Sequence, residues 1–425
     1  MKFLTSAEKV QKLRNQLNIT QEDLQTEKVT RGLISMIETG RREVTYNTAV
    51  RLAEQFSKKA QELNIILNID EGYLMRSPSE DAEIYCLNKL KNDDITDNTI
   101  KEIFELIDQY NLLLVQAKTY FKIGQLSSNK RDFGEAIINY NKAINIYKSM
   151  GKSEELGYVY LKMGICKTES LKYDTAIVYY GLSQYYSFVY EDKKIQRFCL
   201  YNLANNYLQT NEIELALNTI EKCLVLFDKE RVSELYMFAQ GVNATCYEAK
   251  GEYSIAIEIY KTALSKLTDD ESTFLGYAYN NLGLDYSSIN DFKESIKYFE
   301  MAEKFRSEVD KINLGVTLIE KSIVFSKQNL NADAIKSIEL GLKYSKEYND
   351  IEYLINGNYI LRDIYDKLND YENLEKIYLD LIELLRTNDD KIKLKSIYDE
   401  VALMYLKQGK STLCEKYLLL VTGLN

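Results

Sequence analysis

The feature that most constrains this chain is a period of about forty residues. A small residue is followed four positions later by a large one and three later by another small one. The frame recurs as Ala136, Tyr140 and Ala143; Ala176, Tyr180 and Ser183; Ala216, Ile220 and Cys223; and Ala256, Tyr260 and Ala263. It continues through Ser295, Phe299 and Ala302, then Ala334, Ile338 and Gly341. It weakens at Leu374, Tyr378 and Leu381 and at Cys414, Leu418 and Val421. Successive copies lie 40, 40, 40, 39, 39, 40 and 40 residues apart, too regular for chance. Each copy has an earlier half whose small residue sits twelve positions before, in IGQL, MGIC, LANNY, NATCY and LGLDY. Two helices that approach closely through small side chains explain that spacing. One such pair has too little core to fold alone, so pairs must stack on their neighbours.

The frame resembles the tetratricopeptide repeat, over residues 117–424. The period of about 40 exceeds the family's usual 34 or so, and longer helices absorb the difference. The resemblance implies a right-handed α-solenoid whose first helices line a concave face. Residues 79–116 add one or two helices at its start.

Charge divides the chain. Through Arg76 there are 12 Lys+Arg against 10 Asp+Glu, a net of +2; the rest carries 42 against 54, a net of −12. The front tolerates a polyanion and the remainder repels one. The single proline, Pro78, lies at that junction in RSPSED, where the residue before a proline leaves the helical region. These signals place an N-terminal domain with its linker at residues 1–76 and the repeat domain at 79–425.

Several functions are disfavoured by composition. There is no histidine, and none of Cys86, Cys166, Cys199, Cys223, Cys246 and Cys414 forms a Cys-x-x-Cys pair. No metal, no cofactor and no enzyme activity are expected, and the cysteines read as buried thiols of a reducing cytoplasm. No apolar run approaches the length of a membrane span, and the first residues lack the apolar core of a secretion signal. The chain holds 35 tyrosines. Many, including Tyr140, Tyr180, Tyr207, Tyr247, Tyr260, Tyr286 and Tyr378, occupy repeat core positions, so packing explains them better than stacking on bases.

The front has its own grammar. SAEKVQKLRNQL sets Val10, Leu13 and Leu17 on one side of a helix. In TQEDL, Thr20 is an N-cap and Asp23 completes a shortened capping box for a second helix. Thr30 then caps RGLISMIE, in which Leu33, Ile34 and Ile37 face inward while Arg31, Gly32, Ser35 and Met36 stay on or near the outside. Gly40 stops the helix, Arg41 and Arg42 follow, and TYNTAVRLAEQF forms another amphipathic helix. A helical cap without a DNA role would share this pattern.

These segments, over residues 7–56, resemble the XRE/Cro-type helix-turn-helix. The resemblance places the N-terminal residues of RGLISMIE in the major groove. Arg31, Gly32, Ser35 and Met36 then fall at base-reading positions, with Arg31 able to pair with guanine, and the capping residue Thr30 joins them among the DNA-binding candidates. Gln21, Arg41 and Arg42 fall at phosphate contacts. The sequence departs from the family at Gln25, where a small alanine is usual, and the segment from Leu24 to Ile34 is one residue short. A modest +2 charge implies two copies on one duplex.

The candidate ligand residues of the array are carboxamides. Asn202, Asn205, Asn243, Asn280 and Asn281 lie in the first-helix segments, where a carboxamide can pair with both groups of a peptide backbone; the plain alternative is that they face solvent. Lys162 and Arg197 are candidates for a carboxylate. An XRE-type domain followed by tetratricopeptide repeats resembles the RRNPP group of cytosolic bacterial regulators. That implies a homodimeric transcription factor controlled by a short signalling peptide. The alternative is an array that binds a response-regulator or phosphorelay partner and inhibits or dephosphorylates it, with Gln109 and Gln125 as candidates to orient water.

Overall fold

The computed structural model describes residues 2–67, 69–70, 72–92, 94–227, 233–267, 272–388 and 390–423; among them there are α-helices, two short 3-10 turns and no strand. The chain divides into two compact units, Met1–Cys199 and Leu200–Asn425.

The first unit opens with α1 (Ser6–Gln16), α2 (Arg31–Glu38) and α3 (Tyr46–Glu62). Their core is Val10, Leu13, Leu17, Leu24, Val29, Ile34, Ile37, Leu52 and Phe56. There follow α4 (Pro78–Leu90), α5 (Asp97–Tyr110), α6 (Leu113–Asn129), α7 (Phe133–Ser149), α8 (Leu156–Glu169) and α9 (Tyr173–Val189). Helix α10 (Lys193–Gln209) starts in the first unit and ends in the second. The second unit continues with α11 (Ile213–Val225), α12 (Glu234–Ala249), α13 (Tyr253–Lys266), α14 (Phe274–Ser288) and α15 (Phe292–Glu308). It ends with α16 (Leu314–Lys327), α17 (Asn331–Glu347), α18 (Ile351–Leu368), α19 (Tyr371–Thr387), α20 (Lys391–Lys407) and α21 (Ser411–Thr422).

The even-numbered helices from α6 are the first helices of repeats, and the odd-numbered ones from α7 are the second. The small residues of the two halves meet where each pair packs. A Cβ on Gly124 would fall 2.6 Å from the Tyr140 ring, one on Gly164 2.5 Å from Tyr180, and one on Gly283 2.7 Å from Phe299. The aromatic of the second helix therefore fills the space that the first helix leaves empty. The turn inside each repeat needs one left-handed residue. That residue is Arg131, Leu171, Asn211, Gly251, Asn290, Asn329, Asn369 and Gly409 in turn, five positions before each small residue of the frame. Asparagine and glycine adopt this conformation at little cost; Leu171 and Arg131 do so because the repeat imposes it.

The weakened copies differ from one another. Leu374, Tyr378 and Leu381 are buried in a large core of the second unit, whereas Leu418 in the last helix is half exposed. Tyr140, Tyr180, Tyr260, Tyr286 and Tyr378 are buried, while Tyr207 and Tyr247 are half-buried. All six cysteines are free, and five are buried; Cys414, in the terminal helix, is only half-buried, which corrects the expectation for that one. Burial pushes the Cys86 thiol up to about 11 and the Cys246 thiol up to about 12.

Candidate DNA-reading and ligand-binding faces

Helix α2 is built from its N-cap outward. Thr30 accepts a hydrogen bond from the Leu33 N–H at 3.2 Å, and Gly40 ends the helix with φ +69°. Ile34 and Ile37 are fully buried and Leu33 packs against the same core. Arg31, Gly32 and Met36 remain exposed and Ser35 is half-buried, so they share the outer side of one short helix. Arg41 and Arg42 are exposed just beyond it.

The helix expected from Thr20 is a single turn over residues 21–24. Its capping box is present: Asp23 accepts from the Thr20 N–H at 2.7 Å and Thr20 accepts from the Asp23 N–H at 3.3 Å. Leu24 and Val29 are both buried in one core. Five residues apart on a helix they would point about 140° from each other. The chain therefore leaves the helix after Leu24 and turns back, with the Thr26 and Val29 backbones hydrogen-bonded to each other.

Two polar contacts hold this turn against its neighbours. Glu38 receives Arg14 through Nε at 2.7 Å and Nη2 at 3.2 Å, and receives Gln21 Nε2 at 2.7 Å. Gln21 thus spends one N–H inside the domain. Arg31 Nη1 donates to Glu22 Oε1 at 2.7 Å on the outer surface.

Sequence reasoning missed two groups. Tyr46 and Asn47 are exposed at the start of α3, a few residues after Arg41 and Arg42 in the chain, and Tyr46 is 60% exposed; an aromatic opening the TYNTAVRLAEQF helix was the available signal. The second is Lys9, which is buried although α1 reads as a surface helix. Its Nζ donates to the carbonyls of Tyr73 at 2.9 Å and Arg76 at 2.6 Å and pairs with Asp81. Arg76 also binds Asp81, through Nε at 2.7 Å. Pro78 occupies the first turn of α4 behind a Ser77–Glu80 capping box, so charged contacts cross the expected boundary.

The candidate ligand residues lie in different surroundings. In the first unit, Lys162 lines a groove of about 750 Å³ with Tyr158, Leu161, Ile165, Lys194 and Phe198. Arg197 is half-buried, and its Nε donates to the Lys193 carbonyl at 3.1 Å. In the second unit, Asn205 Nδ2 donates to the Tyr201 carbonyl at 3.2 Å and Asn281 Nδ2 to the Tyr277 carbonyl at 3.0 Å. Each bond uses one of two amide hydrogens. Asn202 is half-buried, and its carbonyl accepts from Asn206. Asn243 Oδ1 is buried without a hydrogen-bond partner among the described residues.

Asn280 stands apart. It is buried, its amide donates to Glu320, and its oxygen accepts from Thr317 at 3.0 Å and Arg306 at 3.3 Å. Its carboxamide is committed within the packing of α14, α15 and α16. Of the two glutamines, Gln109 is exposed on α5 and Gln125 lines a smaller groove with Lys118 and Phe121.

A helix-turn-helix family matches residues 10–63, and tetratricopeptide-repeat families match 117–150, 199–226, 276–307 and 359–392. A search of curated proteins finds no match to the chain. Among solved structures it is similar to apo RapI, at 14% identity and a TM-score of 0.51, covering 82% of this chain and 97% of that one. It is also similar to aspartyl phosphate phosphatase F from Bacillus subtilis, at 15% identity and a TM-score of 0.50, covering 84% and 96%. The apo form of the quorum sensor NprR from B. thuringiensis matches at 18% identity and a TM-score of 0.48, covering 89% and 96%. The chain is therefore an all-α protein that joins a helix-turn-helix to tetratricopeptide repeats. Among the described residues no helix is long and apolar enough to cross a membrane.

Proposed function

We propose that this chain is a cytosolic transcriptional regulator that reads promoter DNA with α2 and is controlled by a short signalling peptide. The observation that carries the reading is the outer side of α2. Ile34 and Ile37 spend the inner side on the core, while Arg31, Gly32 and Met36 stay exposed next to Arg41 and Arg42. A guanidinium and a bare backbone on one helix face suit base edges; the two arginines suit phosphates. Two copies on one duplex supply the affinity that a net charge of +2 does not.

The peptide site belongs to the first helices of the second unit. Asn281 on α14 keeps a second N–H beyond its bond to Tyr277, and Asn243 on α12 offers a buried oxygen with no hydrogen-bond partner among the described residues. Together with Asn202 and Asn205 on α10 they supply both donors and acceptors for a peptide backbone. Peptide that prefers one packing of these helices shifts the protein toward it, and a coupling of about 1–3 kcal/mol suffices to regulate DNA binding.

Fluorescence anisotropy on the protein's own upstream DNA, with and without peptides encoded by neighbouring short reading frames, tests this. Specific, salt-sensitive binding that one peptide changes is expected. Arg31→Ala is expected to remove DNA binding and spare peptide affinity, and Asn202→Ala to do the reverse. Absence of any specific DNA binding would overturn the reading in favour of a partner-protein role for the array.

A further inference from the structure

Two acids on the first helices of the second unit stand where other repeats keep uncharged residues. Asp285 on α14 lies two positions after Gly283, the small residue of its helix. The same place holds Leu126, Cys166, Asn206, Cys246 and Val324 in other copies. Glu248 on α12 lies four positions after Ala244, where other copies have Ser128, Thr168, Leu208, Ser287 and Ser326. In the first unit these two places face each other across neighbouring repeats: Cys166 Sγ donates to Ser128 Oγ at 3.4 Å. The same register sets the Asp285 carboxyl against the Glu248 carboxyl, and each copy of this contact joins one first helix to the next.

Neither acid is satisfied. Asp285 is 2% exposed, and its Oδ2 has no hydrogen-bond partner among the described residues; nor has the buried Oε1 of Glu248. The charges that act on them are negative, Glu248 on Asp285 and Glu320 of α16 on Glu248. Tyr260 of α13 bonds to Glu248, and Tyr277 of α14 feels its charge. Lys327 of α16 is turned instead to Ser287, with its carbonyl at 3.4 Å and its hydroxyl at 3.1 Å. Burial pushes Glu248 up to about 7 and Asp285 up to about 8, so the pair holds at least one proton near neutral pH. Unpartnered carboxyls at places that cysteine, valine or serine fill elsewhere in the chain cost stability that packing does not return.

The pair borders the candidate peptide face. Asn281 lies one turn before Asp285 on the same side of α14, and Asn281 and Glu248 are both half-buried. We propose that the bound peptide carries a lysine or arginine side chain that enters between α12 and α14 and is received by Asp285 and Glu248. The cation keeps its charge. One carboxyl of the pair releases its proton to solvent and becomes the counter-ion; the other keeps its proton and donates it in a hydrogen bond to the first. This rests on the reading that the first helices of the second unit bind a peptide, and it adds the charge of that peptide.

Affinity selection from a random library of N-acetylated heptapeptides, on the full chain at pH 7.5, tests it. Peptides enriched on the wild type are expected to share a lysine or arginine. Asp285→Asn with Glu248→Gln keeps both shapes and removes both acids, and selection on that variant should lose the shared cation. The strongest selected peptide should bind the wild type about tenfold or more tighter at pH 7.5 than at pH 5.5, because below about 7 binding must expel a proton. Calorimetry at pH 6 in two buffers of different ionisation enthalpy should show about one proton released per peptide. The double variant should show neither effect. Selected peptides without a shared cation, equal binding by the double variant, or binding without proton release would each overturn the proposal and leave the peptide reading standing. Selection of no peptide at all on the wild type would overturn both.

Discussion

Arg31 and Glu22 face each other on the outer surface of the helix-turn-helix, Nη1 to Oε1 at 2.7 Å, with about two-thirds of each side chain exposed. An exposed pair of this kind contributes 0–1 kcal/mol at most. A guanine edge therefore competes with Glu22 on favourable terms, and in free protein Glu22 holds the guanidinium away from an anion. Glu22→Gln is expected to raise affinity for operator DNA several-fold. Arg31→Ala should lose about 1–3 kcal/mol of base discrimination. Anisotropy titrations at fixed salt check both, and two unchanged affinities would remove Arg31 from the interface.

Gly32 allows stability and recognition to be separated. It is exposed in the first turn of α2, and a Cβ there would meet no atom within 4 Å. Alanine is the better helix former by about 0.8–1 kcal/mol, so Gly32→Ala should leave the melting temperature unchanged or raise it. If the backbone at Gly32 lies against a base pair, the added methyl has no room and DNA affinity falls. A variant that melts higher and binds DNA normally would show that α2 keeps its distance at this residue.

The repeat was legible because its two constraints are local and periodic. The small residues mark helix contacts, and Asn211, Asn290, Asn329 and Asn369 mark left-handed turns at the same period. The outer side of α2 was legible for the same reason, since burial of Ile34 and Ile37 fixes which residues remain. What escaped were consequences of packing between distant segments. Lys9 reads as a surface lysine because its partners, the carbonyls of Tyr73 and Arg76 and the Asp81 carboxylate, lie more than sixty residues away. The single turn after Thr20 escaped because a sound capping box precedes it. Only the joint burial of Leu24 and Val29 reveals the break. Asn280 looks like its neighbour Asn281 in sequence, and only Arg306, Thr317 and Glu320 distinguish it.

The contact between Gly164 and Tyr180 gives a stability test of the repeat frame. A methyl at Gly164 would lie 2.5 Å from Tyr180 Cε1, inside a fully buried contact. Overpacking of that kind costs typically 1–3 kcal/mol. Gly164→Ala should lower the midpoint of urea unfolding. Adding Tyr180→Leu should recover part of the loss, although Tyr180→Leu alone removes the Thr168 bond as well as ring contacts. A double-mutant cycle with no coupling would mean that the two helices do not depend on this close approach.

Asp285 on α14 supplies the pH dependence. Its side chain is buried and Oδ2 has no hydrogen-bond partner among the described residues. Burial, with Glu248 adding its charge, pushes the carboxyl from 3.8 up to about 8. Glu248 is itself pushed to about 7, first by burial and then by the charge of Glu320, against the opposing bond from Tyr260. The native state thus keeps protons that the unfolded chain has already released, so stability falls as pH rises. The decline begins near the unfolded values, about 4, and levels off once pH passes about 8. Asp285→Asn keeps the shape and cannot ionise. Its unfolding free energy, measured in urea from pH 5 to 9, should fall less steeply than that of the wild type. At pH 9 the variant should be the more stable of the two. Parallel profiles would show that Asp285 ionises in the folded protein as freely as in the unfolded one, and that the buried carboxyls of α12 and α14 have a source of compensation elsewhere.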